Sequence, residues 1–411
     1  MVWAGSSLSF EMAAEAIAQF TGHSISAARI RRQVEQVGAA RTAERDQYIE
    51  DLQQMTLPDR RSAIEHGSTL EVAVVMMDGG RYQRRDHFRR RGGNQARGGD
   101  QAAHKDPEEA QTHWRESKVG CLLSMSSEVH SDDPCPEIPD SFAHASVVRE
   151  IAKTSEKDVS NVTSSQDELA LVDENLVDSF ASSIDYEAPK LLERDVVASG
   201  KDTYAFGFQL EERARRLNFN GCSRQAFVAD GAKTNWRIQR QHFPRATPIA
   251  DLIHALAYAW SAAQVDEGKV TYQKWAQLIW QGDVAEVIEH LQTLKEIHGS
   301  PPDDSPSDPR HQVERALTYF RNNAVHMNYP AYRQAGLPIT SAHIESTVKQ
   351  INRRIKGTEK FWRRETSESV LQLRAEYLSD SHPMEKFWLR YLANQDGTNR
   401  YQNASKLLQS T

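Results

Sequence analysis

Glu71-Val72-Ala73-Val74-Val75-Met76-Met77-Asp78-Gly79-Gly80-Arg81 decides how the chain is read. Six apolar residues run unbroken, then meet an aspartate and two glycines. A short Val-rich run predicts a strand buried on both faces. The Gly-Gly pair predicts its end. A carboxylate there must find cations or hydrogen-bond donors, because burying it bare is costly. Asp-Gly is also an ordinary turn pair, so Asp78 alone reads either as a turn residue or as a ligand.

The theme recurs downstream. Arg224-Gln225-Ala226-Phe227-Val228-Ala229-Asp230-Gly231 is again a short apolar strand ending in an acid and a glycine. From Ala232 a helix with Trp236 and Ile238 is expected. Ala246-Thr247-Pro248-Ile249-Ala250-Asp251 reads as a short strand running into a helix, Leu252 to Ala263. Leu337-Pro338-Ile339-Thr340-Ser341-Ala342-His343-Ile344-Glu345 opens a late helix. Its apolar face is Ile344, Val348, Ile351 and Ile355; its basic face is Lys349, Asn352, Arg353 and Lys356. Glu345 falls in the first turn, where pairing with Lys349 or a dipole contact would be its bland roles. Three carboxylates converging from two strand ends and a helix suit hard divalent cations, which prefer oxygen ligands. Two such ions a few Å apart can activate an attacking oxygen and stabilise a leaving one in phosphodiester chemistry.

Composition sets bounds. The 411 residues allow two or three domains. The net charge of -7 excludes a global basic field. Charge is uneven, however. Arg81 to Lys105 holds eight Arg/Lys against two Asp, and Lys349 to Arg364 holds seven against one Glu. Residues 150–195 hold twelve acids against four bases. Cys121, Cys135 and Cys222 lack Cys-x-x-Cys spacing, which argues against a disulfide framework or zinc knuckle. No run approaches the roughly 18 apolar residues of a membrane span. Glu11 and Glu15 interrupt the N-terminal apolar residues and no basic n-region precedes them, so no signal peptide is expected. A soluble, cytoplasmic protein is expected.

Four regions follow from the remaining patterns. Residues 1–65 read as helical. Phe10, Ala13, Ala14, Ile17 and Phe20 keep helical spacing, a Gly22-containing break follows, and Ala27 to Val37 forms a second short helix with Arg29, Arg31 and Arg32. That is the pattern of a helix-turn-helix, and equally of helix pairs that never touch DNA. Residues 38–57 continue as a charged helix ending near Pro58. Residues 66–265 hold the strands, a basic loop 82–112 with Arg84 and Arg85, and an acidic connection 127–195. Residues 266–335 read as a helical insertion, and 336–411 as the last core helix and a tail.

Val75 to Arg81, Trp114-Arg115-Glu116-Ser117-Lys118-Val119, Val228 to Lys233, Leu337 to Ser346 and Lys356-Gly357-Thr358-Glu359-Lys360-Phe361-Trp362 together resemble DDE-type insertion-sequence transposases of the ISKra subgroup. The resemblance spans roughly residues 10–395. It implies an α/β fold: an RNase H-like mixed-sheet core with a helical insertion between the second and third acids. It implies Asp78, Asp230 and Glu345 as catalytic acids holding two Mg²⁺ (or Mn²⁺) ions. Asp251-x-x-His254 looks like a signature of related transposase superfamilies, in a supporting role; Asp251 capping its own helix is the plain alternative. Thr340-Ser341-Ala342-His343 departs from the small Gly-Ser-Gly-like turn of relatives, which keeps Glu359 and Glu365 as fallback acids. The implied partners are DNA, as terminal repeats and target, and a second copy of the chain, with a nucleoid-associated location. Arg29, Arg31 and Arg32 would read the repeats; Arg81, Arg84, Arg85, Lys349, Arg353 and Lys356 would meet phosphates. The other readings are a catalytically inactive, transposase-derived DNA-binding protein, and an RNase H-like nuclease without strand transfer.

Overall fold

The Val72–Met77 run is buried throughout and lies at the centre of a mixed, open sheet. The computed structural model describes residues 1–65, 67, 70–85, 113–143, 188–301, 308–357 and 360–393. Its strands are β1 (Val72–Arg84), β2 (Trp114–Ser126), β3 (Lys190–Ser199), β4 (Arg224–Ala229), β5 (Thr247–Ala250) and β6 (Phe361–Trp362). Its helices begin with α1 (Val2–Ser7), α2 (Phe10–Thr21), α3 (Ala27–Gln54), α4 (Leu57–Arg61) and α5 (Asp140–Ala143). Then come α6 (Thr203–Arg216), α7 (Lys233–His242), α8 (Leu252–Ala263), α9 (Lys269–Trp280) and α10 (Val284–His298). The last are α11 (Pro309–Asn323), α12 (Tyr329–Gln334), α13 (Ala342–Ile355), α14 (Arg364–Tyr377) and α15 (Pro383–Ala393).

The six strands run β3-β2-β1-β4-β5, with β6 alongside the far end of β1. β1, β2 and β3 are antiparallel neighbours; β4 lies parallel to β1, and β5 parallel to β4. The fold is α/β. Both faces of the sheet are covered. On β2, Gly120 sits against Leu210 of α6, while the next residue, Cys121, meets Thr347 of α13. Successive strand residues point to opposite faces, so α6 and α13 cover opposite sides. Among the described residues, no helix is long and apolar enough to cross a membrane.

Four expectations need correction. Gly79-Gly80 does not end the first strand: β1 continues to Arg84, paired with β2 from Asp78–Val119 to Gln83–Trp114. An extended ladder accommodates glycine. What requires it at Gly80 is crowding, since a Cβ there would lie 2.6 Å from Asn352 Oδ1 on α13. The basic loop therefore begins after Arg84, not at residue 82, and residues 86–112 lie outside the described ones. Third, the end of the acidic connection, from Lys190, is already strand β3, in which Asp195 is buried. Residues 144–187 of that connection also lie outside the described ones. Fourth, residues 27–54 form one 28-residue helix, not a short helix followed by another running to Pro58. Pro58 instead sits in the first turn of α4.

Gly38 explains the unbroken helix. A Cβ there would lie 2.4 Å from Ser369 Cβ on α14, so the glycine permits a close helix crossing. Beyond it α3 is fastened to α14 by Arg41 Nε–Glu376 Oε1 at 2.6 Å and by Arg45 Nη1 to Glu368 (2.9 Å) and Gln372 (2.7 Å). Ile30, Val34 and Val37 join the same hydrophobic core as β1.

Gly38→Ala sets two effects against each other. Helix propensity favours alanine by about 1 kcal/mol, whereas overpacking costs about 1–3 kcal/mol. Ser369 offers backbone as well as side chain to the new methyl, so the clash should win. Urea denaturation should show the variant less stable than the parent chain.

Candidate metal centre

Strand register brings three aspartates to one level. β1 and β4 pair with Met76 opposite Val228, so two residues further on Asp78 falls level with Asp230. β4 and β5 pair with Ala229 opposite Ala250, so the next residues, Asp230 and Asp251, fall level. Parallel strands are about 4.8 Å apart, so the three carboxylates span roughly 10 Å along the C-terminal edge of β4 and β5.

Asp251 is the most deeply buried of them, with no exposed surface. It caps α8, accepting from the N–H groups of Ile253 and His254 at 3.3 and 3.4 Å. It also bonds His254 Nδ1 at 2.5 Å. Ser341, at the N-terminus of α13, donates both its N–H (2.9 Å) and its hydroxyl (2.8 Å) to the same carboxylate. Asp251 is thus the cap of its own helix, as its plain reading expects, and it lies beside Glu345. The Ser341 hydroxyl does not cap its own helix. That bond fixes where α13 starts, and Glu345 lies in the first turn.

Ligand-type atoms of Asp251, His254 and Glu345 lie within 4.8 Å of one another. Asp78 and Asp230 stand beside this group and act on it by charge. Glu345 is pushed up to about 7, by burial first and then by the charge of Asp251, with Asp78 adding; His254 and Lys349 pull the other way. Burial alone would push His254 down. The hydrogen bond and charge of Asp251, with Asp230 and Glu345, instead push it up to about 10. The site thus holds more carboxylate than it keeps ionised at neutral pH without a cation. That donor set, oxygen-rich with one imidazole, fits a divalent cation.

The two remaining acids are held locally. Asp78 Oδ1 accepts the Gly79 N–H at 2.6 Å. Asp230 Oδ1 accepts from the Ala232 N–H (2.9 Å) and Asn235 Nδ2 (2.8 Å). Gly231 adopts φ +96°, a left-handed conformation that favours glycine, and α11 packs against it through Tyr319 and Asn323. Asn235, Ser341 and Tyr319 were not singled out from the sequence. Asn235 follows Asp230 by one helical turn and Ser341 precedes α13, so both carried a local signal. Tyr319 carried none, because only the return of α11 to the sheet brings it there.

The chain matches no protein-family description and no curated protein.

Of the basic residues, Arg29, Arg31 and Arg32 are exposed on the first turns of α3, with Arg31 paired to Glu35 at 3.9 Å. Arg81 and Arg85 are exposed, and Arg84 is half-buried in the strand. Arg85 lies over the Phe361 ring at 4.7 Å. Arg353 is exposed, and Lys349 on α13 and Lys356 just past its end are half-buried. Glu365 is exposed in the first turn of α14, and Glu359 lies outside the described residues.

A pH dependence follows. With its folded pKa raised above the ordinary 4.5, Glu345 keeps a proton that the unfolded chain has released, so stability falls as pH rises from about 4.5 to 7. His254 contributes stability present below its ordinary 6.5 and lost as pH rises toward 10. In chelator, thermal melts should therefore show Tm falling across this range. Glu345→Gln should flatten the portion between about pH 4.5 and 7; an unchanged slope would contradict the assignment.

Proposed function

We propose that the chain is a DNA transposase of the DDE type, with an RNase H-like core, acting on phosphodiester bonds with divalent metal. The observation that carries this reading is the level alignment of Asp78 and Asp230 on adjacent parallel strands, with Glu345 entering the same charge field from α13. Strand order β3-β2-β1-β4-β5, antiparallel then parallel, is similar to the RNase H-like arrangement. The helices between α8 and α13 correspond to the insertion expected between the second and third acids.

Asp78, Asp230 and Glu345 would hold the ions, two Mg²⁺ or Mn²⁺. Bound there, they would supply an ionised water at neutral pH and neutralise charge on the phosphate. The chain's own residues do the rest. Asn235 and the Ala232 N–H orient Asp230. Ser341 and Asp251 fix the start of the helix that carries Glu345. His254 holds a proton at Nδ1 against Asp251 and turns positive charge toward the acids. Arg81, Arg85 and Arg353 are exposed to meet phosphates, and Lys349 stands beside Glu345. Hydrolysis at an element end would expose a 3′-OH, which then attacks target DNA by the same displacement. Two ends must be joined, which calls for at least two copies of the chain on DNA.

Glu345→Gln should lower Mg²⁺-dependent cleavage of DNA bearing the element ends by about 10³-fold, equivalent to several kcal/mol of lost charge stabilisation. DNA binding should survive. Unaltered cleavage would sink the assignment. Binding by the parent chain without any Mg²⁺-dependent nicking would favour an inactive DNA-binding descendant, and nicking without joining to a target plasmid a nuclease.

A further inference from the structure

The opposite edge of the sheet carries a second charged cleft. β4 enters it at Gln225, five residues before Asp230, or roughly 16 Å at about 3.3 Å per residue. Its walls come from α4, α6, the C-terminal end of α7, and the turns that precede β4 and β5. Arg60, Arg61, Arg215 and Arg245 line it, and Glu211 is the one acid among its lining residues.

Arg60 is already committed. It forms a two-pronged ion pair with Glu211, which also bonds His242 Nδ1 at 2.6 Å. Burial would raise the Glu211 carboxyl, but His242 and Arg60 together hold it below its usual range. Arg245 donates one N–H to the Asn220 carbonyl at 3.1 Å. Among the described residues, Arg61 and Arg215 have no carboxylate partner, and Arg215 Nε is buried without an acceptor. A buried N–H left without an acceptor is destabilising.

The formal charge of the cleft is +3, four arginines less one glutamate. Helix C-termini attract bases, and the ends of α6 and α7 account for Arg215 and His242 in that way. At about -0.5 each, two such ends leave roughly +2 uncompensated. Arg245 lies on a turn, and Arg61 ends a helix of only five residues, too short for a substantial dipole. The enclosed part of the cleft, about 20 Å³, admits only small groups.

We propose that this cleft binds a phosphate group, with Arg61, Arg215 and Arg245 as its donors. The guanidinium forks match phosphate oxygens and would satisfy Arg215 Nε. The inference does not rest on the carboxylate edge or on the transposase reading. The phosphate comes either from a DNA backbone or from a free phosphate-bearing molecule.

The test uses the full chain with Arg61→Ala/Arg245→Ala. Both side chains are exposed, so folding should persist by circular dichroism; Arg245→Ala alone serves as a milder variant. One arm measures affinity for duplex DNA of arbitrary sequence against salt. Loss of the one phosphate contact should reduce the log–log slope by about 0.9. The other arm measures Tm in inorganic phosphate against chloride at matched ionic strength. The parent chain should gain Tm in phosphate and the double variant should not. A changed salt slope identifies DNA as the source; loss of the phosphate shift with an unchanged slope identifies a free phosphate compound. Arg61→Lys/Arg245→Lys should retain most of either effect. If the double variant matches the parent chain in both arms, the cleft is not a phosphate site.

Discussion

A carboxylate with no exposed surface must be met by donors on every side, and Asp251 meets that demand from two parts of the chain. Its own helix supplies two N–H groups, His254 supplies an imidazole, and Ser341 supplies an N–H and a hydroxyl across 90 residues. The Leu252 N–H reaches the Ile339 carbonyl at 3.0 Å beside them. Together these bonds close the base of the excursion from α9 to α12. Without them the chain would have no fixed point from which to start α13, and Glu345 would not enter the field of the aspartates.

The excursion is itself fastened to the sheet's flank. Arg333, fully buried, pairs with Asp133 and lies over Trp280 at 4.0 Å. Trp280 Nε1 donates to the Cys135 carbonyl at 2.7 Å. Tyr329 donates to the Ala250 carbonyl, one residue before Asp251, at 2.9 Å. α11 then places Tyr319 and Asn323 against Gly231. The helical segment is thus a wall of the acidic edge, built from aromatic packing and a few committed hydrogen bonds. At the other end of the chain, α3 is locked to α14 by buried ion pairs. Breaking one partner of such a pair is far more costly than the pair is worth, so this contact specifies position more than it adds stability.

Charge divides the molecule into two working edges. At the C-terminal edge of β4 and β5, acids outnumber what the protein neutralises, and Glu345 answers by holding its proton to about pH 7. At the opposite edge, arginines outnumber acids around a small cleft. The first arrangement suits cations and the second an anion, and β4 spans both.

Much of this was legible from residues alone. Apolar runs bounded by Asp and Gly marked β1, β4 and β5, because burial on both faces leaves little freedom in residue type. The apolar stripe of Ile344, Val348, Ile351 and Ile355 marked α13 and put Glu345 in its first turn. Local patterns failed where a distant contact decides the outcome. Gly79-Gly80 reads as a stop until β2 pairs past it and Asn352 fills the space a side chain would need. The helix read as ending at Val37 runs on through Gly38, where α14 crosses it closely. β3 starts with exposed residues inside an acidic stretch, so its alternation was masked by charge. The sequence by itself determined which segments could be buried and which acids sat at their ends, since both follow from local hydrophobicity and turn chemistry. Only the tertiary structure decided that Asp78, Asp230 and Asp251 share one level, because register is set by inter-strand pairing. It alone joined Asp251 to Ser341, because that bond spans an excursion no local rule can close.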